Sequence, residues 1–132
     1  MAPKTDLGAF AFYCAPSELR AALRAGANPN EADPDTGTTP LMWLCEMLDK
    51  HTRTRKRMFR YLVEAGASLT ALDIHGQTAW HYAAYGASKS FRKFVREQYR
   101  RRLGSLPVRG RAQPGSKFFV PEKEEVGVHR AV

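Results

Sequence analysis

The chain has 132 residues, 43% of them hydrophobic, and a formal net charge of +8 with a pI near 9.9. That length sets one domain with a small core, and the hydrophobic share excludes a wholly disordered chain. The positive balance suits an acidic partner (nucleic acid, anionic lipid or an acidic protein face) as well as plain solubility.

Cys14 and Cys45 are too few for a disulfide framework or a four-ligand zinc site. Both lie in apolar helical contexts and read as buried free thiols, which suits a reducing, intracellular compartment, cytoplasmic or nuclear. No apolar run is long enough to span a bilayer, and the N-terminal stretch lacks the pattern of a secretory signal.

In chain order, residues 1–6 read as a short loose end. Leu7–Cys14 is apolar at nearly every position and reads as a helix because one clearly follows. Pro16 breaks the run and Ser17 is placed to cap the next helix, Glu18–Ala25, whose Leu19, Ala22 and Leu23 share one face. Gly26 supplies its left-handed cap. Asn28–Gly37 carries turn chemistry at several positions. Thr39 is placed to cap a third helix, with Pro40 at its first position, where no backbone donor is needed.

Leu41–Leu48 is apolar nearly all round, so it needs cover on more than one side. Asp49–Lys56 reads as a basic, polar interruption. Met58, Phe59, Leu62 and Val63 mark an amphipathic helix ending at Gly66. A turn at Ile74–Gln77 precedes a short helix from Thr78 to Tyr85. Phe91, Phe94, Val95 and Tyr99 line the last helix, which ends near Gly104. From Pro107 the composition turns to Gly, Pro and Arg, then to an apolar Phe118-Phe119-Val120 and an acidic run, a tail without a core of its own.

The strongest signal is internal. Gly26-Ala27 repeats as Gly66-Ala67, Gly37 as Gly76, and Thr39-Pro40-Leu41 as Thr78-Ala79-Trp80. These residues, with His81-Tyr82-Ala83-Ala84, resemble ankyrin repeats, whose unit is a β-turn and two antiparallel helices with a T-P-L-H-x-A pattern. Met42 replaces the pattern's His, Ala79 its Pro and Trp80 its Leu. The first unit matches only through Glu18–Asn30.

The resemblance implies an all-α solenoid of three helix-turn-helix units with β-turn fingers, roughly 5–36, 37–75 and 76–106, in a domain spanning 1–106, with 107–132 as a tail. Its spacing places about six extra residues between the helices of the second unit, and one extra residue in the loop before Thr39. His81 resembles the family residue that ties neighbouring turns together.

No constellation carries chemistry. The serines sit in no nucleophile elbow, the glycines form no phosphate-cradling loop, and the four histidines lack metal-ligand spacing. Asp33 and Asp35 supply too few oxygens for a firm cation site. No enzyme activity, metal or cofactor is expected.

The resemblance implies instead a protein partner along the fingers and inner helices. The residues at those positions are Thr36, Thr38, Trp43, Glu46, Met47, Leu72, Ile74, His75, Gln77, Tyr82 and Tyr85, an unusually apolar and aromatic set. Trp43 is equally well placed to cover the long helices. A second candidate is a basic outer face. Six cations lie between 50 and 60 (Lys50, Arg53, Arg55, Lys56, Arg57, Arg60) and ten between 89 and 117, among them Arg92, Lys93, Arg96, Arg100, Arg101 and Arg102. Such a face offers phosphate contacts to nucleic acid or a ribonucleoprotein, with Tyr99 as its one stacking aromatic, or a surface for an acidic protein. A structural subunit of a larger complex is the third reading.

Overall fold

The computed structural model describes residues 2–46 and 51–107. Met47, Lys50 and the rest of 47–50, together with the expected tail beyond 107, lie outside the described residues. The described elements are α1 (Asp6–Phe12), α2 (Pro16–Arg24), α3 (Pro40–Glu46), α4 (Thr52–Glu64), α5 (Ala79–Gly86) and α6 (Lys89–Leu103), with no strand among the described residues. Helices α1 and α2, α3 and α4, and α5 and α6 pair as hairpins. The hairpins stack in two rows, with α3 between α1 and α5 in the first and α4 between α2 and α6 in the second.

Each first-row helix has its start fixed by a threonine. Thr5 Oγ1 accepts the Gly8 amide at 3.1 Å, and Thr39 Oγ1 accepts the Met42 amide at 3.3 Å. Thr78 closes a reciprocal box in which His81 Nδ1 accepts the Thr78 amide at 3.0 Å. In the second hairpin the Met42 sulfur takes the place of that ring nitrogen, 3.4 Å from the Thr39 amide. A thioether is a weak acceptor, but it stands at the amide the helix start leaves unpaired.

The residues expected as a loose start are part of the fold. Besides the Thr5 cap, the Lys4 amide donates to Asp33 Oδ2 at 3.2 Å and the Lys4 ammonium pairs with Asp35, which raises its pKa. Ser17 is not the cap of α2: Ala15 holds that position and Pro16 is the first helical residue, where its missing N–H is harmless. The basic stretch before Met58 is helical from Thr52, since Arg and Lys are good helix formers and Arg55 turns inward.

Helices α2 and α4 end alike. Gly26 (φ +97°) and Gly66 (φ +105°) are left-handed, and the next amide reaches back to Ala22 O at 3.0 Å and Leu62 O at 2.9 Å. Cys14 takes the same conformation (φ 57°) after α1, and the Ala15 amide returns to Phe10 O at 2.8 Å. Cys14 is therefore a half-buried turn residue rather than a core thiol. Cys45 is fully buried, and that burial pushes its thiol pKa well up.

The core runs along the seam between rows through Leu7, Leu19, Leu41, Leu44, Met58, Phe59, Leu62, Val95 and Tyr99. Tyr99 donates to Leu69 O at 2.7 Å and accepts the Trp80 amide at 3.2 Å, pinning the last finger and α5 to α6.

Between the hairpins the chain makes two fingers. The Asp33 amide bonds Thr38 O at 2.9 Å, and the Asp73 amide bonds Gln77 O at 3.0 Å, so the first finger holds the one extra residue expected before Thr39. The fingers touch: the Ile74 amide donates to Thr36 O at 3.0 Å. At that contact Gly37 has φ +72°, and a Cβ there would lie 3.3 Å from Asp73 Cα. Gly37→Ala is expected to lower stability by about 1–2 kcal/mol, measured by urea unfolding, because it adds a left-handed penalty to a backbone clash.

Candidate protein-recognition surface

Each finger is built on one aspartate. Asp73 Oδ1 accepts the His75 and Gln77 amides, both at 2.9 Å, and Asp33 Oδ1 accepts the Asp35 amide at 3.0 Å. Both carboxylates are buried. Asn30 then ties the two interhairpin loops, donating to Gly66 O at 3.0 Å and accepting the Ser68 amide at 2.7 Å. Backbone amides, with the Tyr82 hydroxyl on Asp73, thus satisfy the carboxylates on which the fingers are built.

Apolar side chains project from this frame. Leu72 is 52% exposed and Ile74 42% on the second finger, and Tyr85 is 71% exposed at the end of α5. Glu46, at the equivalent end of α3, is exposed and His75 half-buried. Tyr13, just after α1, is 65% exposed and was not among the residues expected from sequence. It follows Phe12, which aligns with Glu46 and Tyr85 once Thr5 is recognised as a cap.

Several expected residues turn inward. Trp43 is buried (3% exposed), edge-on to Phe12 at 5.2 Å and against α1, where a Cβ on Gly8 would come within 3.0 Å of its ring. It is a packing residue, and its indole N–H has no hydrogen-bond partner among the described residues. Gln77 is buried in the second finger. Thr38 is buried and Thr36 half-buried, their hydroxyls 2.7 Å apart. Tyr82 is half-buried, and its hydroxyl donates to Asp73 Oδ2 at 2.5 Å. Burial, then that bond, raises its phenol pKa.

A comparison with solved structures matches this chain to the ankyrin repeat domain of Bcl-3, a member of the IkappaB protein family. The TM-score is 0.58 at 22% identity, over 74% of this chain and 39% of that one. The chain has the ankyrin-repeat fold. It spans well under half the length of the domain it matches. No family profile and no curated protein matches the sequence.

Within the ankyrin fold the second-row helices carry the cations. Across the α4–α6 seam Lys56 Nζ donates to Ser90 Oγ at 3.3 Å, and Lys56 and Arg60 flank the Phe94 ring at 5.7 and 5.1 Å. Arg53, Arg57 and Arg60 of α4 and Lys93, Arg100, Arg101 and Arg102 of α6 are exposed, and none of them pairs with a carboxylate among the described residues. Arg92 and Arg96 are half-buried.

Two residues expected on that face are not there. Arg55 is 3% exposed, donating to Leu44 O at 3.4 Å, with its guanidinium pKa lowered by burial. Tyr99 is fully buried, which removes the stacking aromatic. Among the described residues no three His, Cys, Asp or Glu side chains are placed to hold a metal, and no helix is long and apolar enough to cross a membrane.

His81 Nδ1 is engaged by its own helix start, and the Ile74 amide joins the neighbouring fingers through Thr36 O. Tyr82→Phe is expected to lower stability by about 1 kcal/mol in chemical denaturation, the net worth of one hydrogen bond.

Proposed function

We propose that this ankyrin-fold chain is a non-enzymatic protein-recognition module whose contact surface centres on the second finger and the ends of the first-row helices. The observation that carries this reading is the exposure of Leu72, Ile74 and Tyr85 on a frame whose polar groups are otherwise saturated. Exposed aromatic and aliphatic anchors on a rigid backbone lose little entropy on binding, which is the chemistry of an interface centre. Tyr13, Glu46 and His75 extend the surface; Met47 belongs to it by its place in the sequence. Trp43, Gln77 and Tyr82 support it from within.

The test is site-specific photocrosslinking from position 72 in lysate of cells that express the protein. A discrete crosslinked partner is expected, and Ile74→Arg with Tyr85→Ala is expected to abolish it while leaving the circular dichroism spectrum unchanged. Retention of the same crosslink by the folded double variant rejects the surface.

The second-row cations support a further contact, with an acidic protein. The favouring observation is that exposed Arg53, Arg57, Arg60 and Lys93 have no carboxylate partner among the described residues. The burial of Tyr99 counts against a nucleic-acid platform. Charge reversal at Arg53, Arg57 and Lys93 is expected to weaken partner binding roughly tenfold at low salt and far less at high salt, measured by titration calorimetry, since exposed charges are screened.

A further inference from the structure

Successive hairpins bury the same two positions of their first-row helix. Leu7 and Ala11 in α1 are 2% and 0% exposed, and Leu41 and Cys45 in α3 are both 0%. Their counterparts in α5 are Trp80 and Ala84, and both are only half-buried. Among the described residues no further hairpin stacks on the third one's outer side, opposite α3 and α4. The large ring at a position filled by leucine in the other two units is therefore left on an open end of the array.

This end is apolar at its centre and basic at its edge. Arg96 lies over the Trp80 ring at 5.6 Å. Arg92 and Arg100 stand one helical turn to either side of Arg96, and Leu103, 44% exposed, continues the same stripe of α6. The chain leaves from here. Gly104 is left-handed (φ +82°), like Gly26 and Gly66 where the earlier units hand on to the next, and Leu106 packs back on the core.

We propose that the chain caps its own array: Phe118, Phe119 and Val120 cover Trp80 and Ala84, and the acidic run at Glu122, Glu124 and Glu125 lies beside Arg92, Arg96 and Arg100. The order of the tail, apolar and then acidic, matches a face with an apolar centre and a cationic edge. The linking residues 108–117 reach about 33 Å when extended, against about 12 Å for the length of α5. Stacked repeats need such terminal cover, because the flank that one unit offers the next is otherwise wet. A second copy stacked in the register of a further repeat would present its opposite end, around Phe10, and that head-to-tail contact propagates into filaments rather than closing.

The test uses the full chain with labelled aromatic rings. Nuclear Overhauser cross-peaks from the Trp80 indole to the Phe118 or Phe119 ring are expected. In Phe118→Asp/Phe119→Asp they vanish and acrylamide quenching of tryptophan fluorescence rises; Trp43, buried in the first-row packing, is the internal reference. Absence of those cross-peaks in the unmodified chain overturns the proposal. Unchanged quenching in the variant overturns it too. A Trp80 signal that shifts with protein concentration, alongside sedimentation of dimers or longer species, assigns the face to a second copy and also overturns it.

Discussion

The burial of one hairpin's flank by the next holds this protein together. No hairpin here closes on itself: α1, α3 and α5 are seven or eight residues long, too short to persist as isolated helices. They exist because Leu7 and Ala11, then Leu41 and Cys45, are removed from water within the stack. Each such leucine contributes roughly 2 kcal/mol. The contact is close because the facing positions are small. A Cβ on Gly86 would come within 3.0 Å of Glu46 O, and Ala83 is wholly buried between α5 and its neighbours. Stability in such an array is a sum of neighbour contacts, so a defect in the middle hairpin removes two interfaces and one at either end removes one.

The same role is filled by different chemistry in successive units. A thioether replaces an imidazole at Met42 and His81, opposite the capping threonine's amide. Cys14 holds a left-handed turn that glycine holds elsewhere, and its strain is offset by the Ala15 amide reaching Phe10 O. Asn28 and Ser68 each fold a side-chain oxygen onto the amide two residues on, opening equivalent loops from unlike residues. The backbone requirement is constant, namely that amides at helix starts and finger bends find acceptors, and several side chains meet it.

That constancy explains what was legible in the sequence. The left-handed glycines, the Thr39 and Thr78 starts and the apolar spacings of the second-row helices are local signals, fixed by residues within a few positions of each other, and they appear where the spacing put them, although α2 and α4 begin earlier than expected, at Pro16 and Thr52. The first unit was harder to read because Thr5-Asp6-Leu7 keeps only the threonine and leucine of its pattern, with Gly8 in the histidine place. A Cβ at Gly8 would crowd Thr5 Oγ1 at 2.6 Å and the Trp43 ring at 3.0 Å, and the second is a contact between residues far apart in sequence. Arg55, Tyr99 and Trp43 share that difficulty. Charge and aromaticity suggest exposure for all three, but their directions are set by partners across the stack: Leu44 O for Arg55, Leu69 O for Tyr99 and Phe12 for Trp43.

Charge is divided between the two rows, and the division separates their roles. Asp33 and Asp73 are buried and spend their oxygens on finger amides and the Tyr82 hydroxyl, so they add little free negative field at the finger tips. Apart from Lys4, which pairs with Asp35, the exposed cations stand on α2, α4 and α6, in the opposite row. Packed helices lie about 8–10 Å apart, comparable to the Debye length of about 8 Å at physiological salt. Charges on the second row are therefore partly screened at the first-row fingers, so the contact proposed on Leu72, Ile74 and Tyr85 would draw on apolar burial and shape, and the acidic contact proposed on the second row on charge.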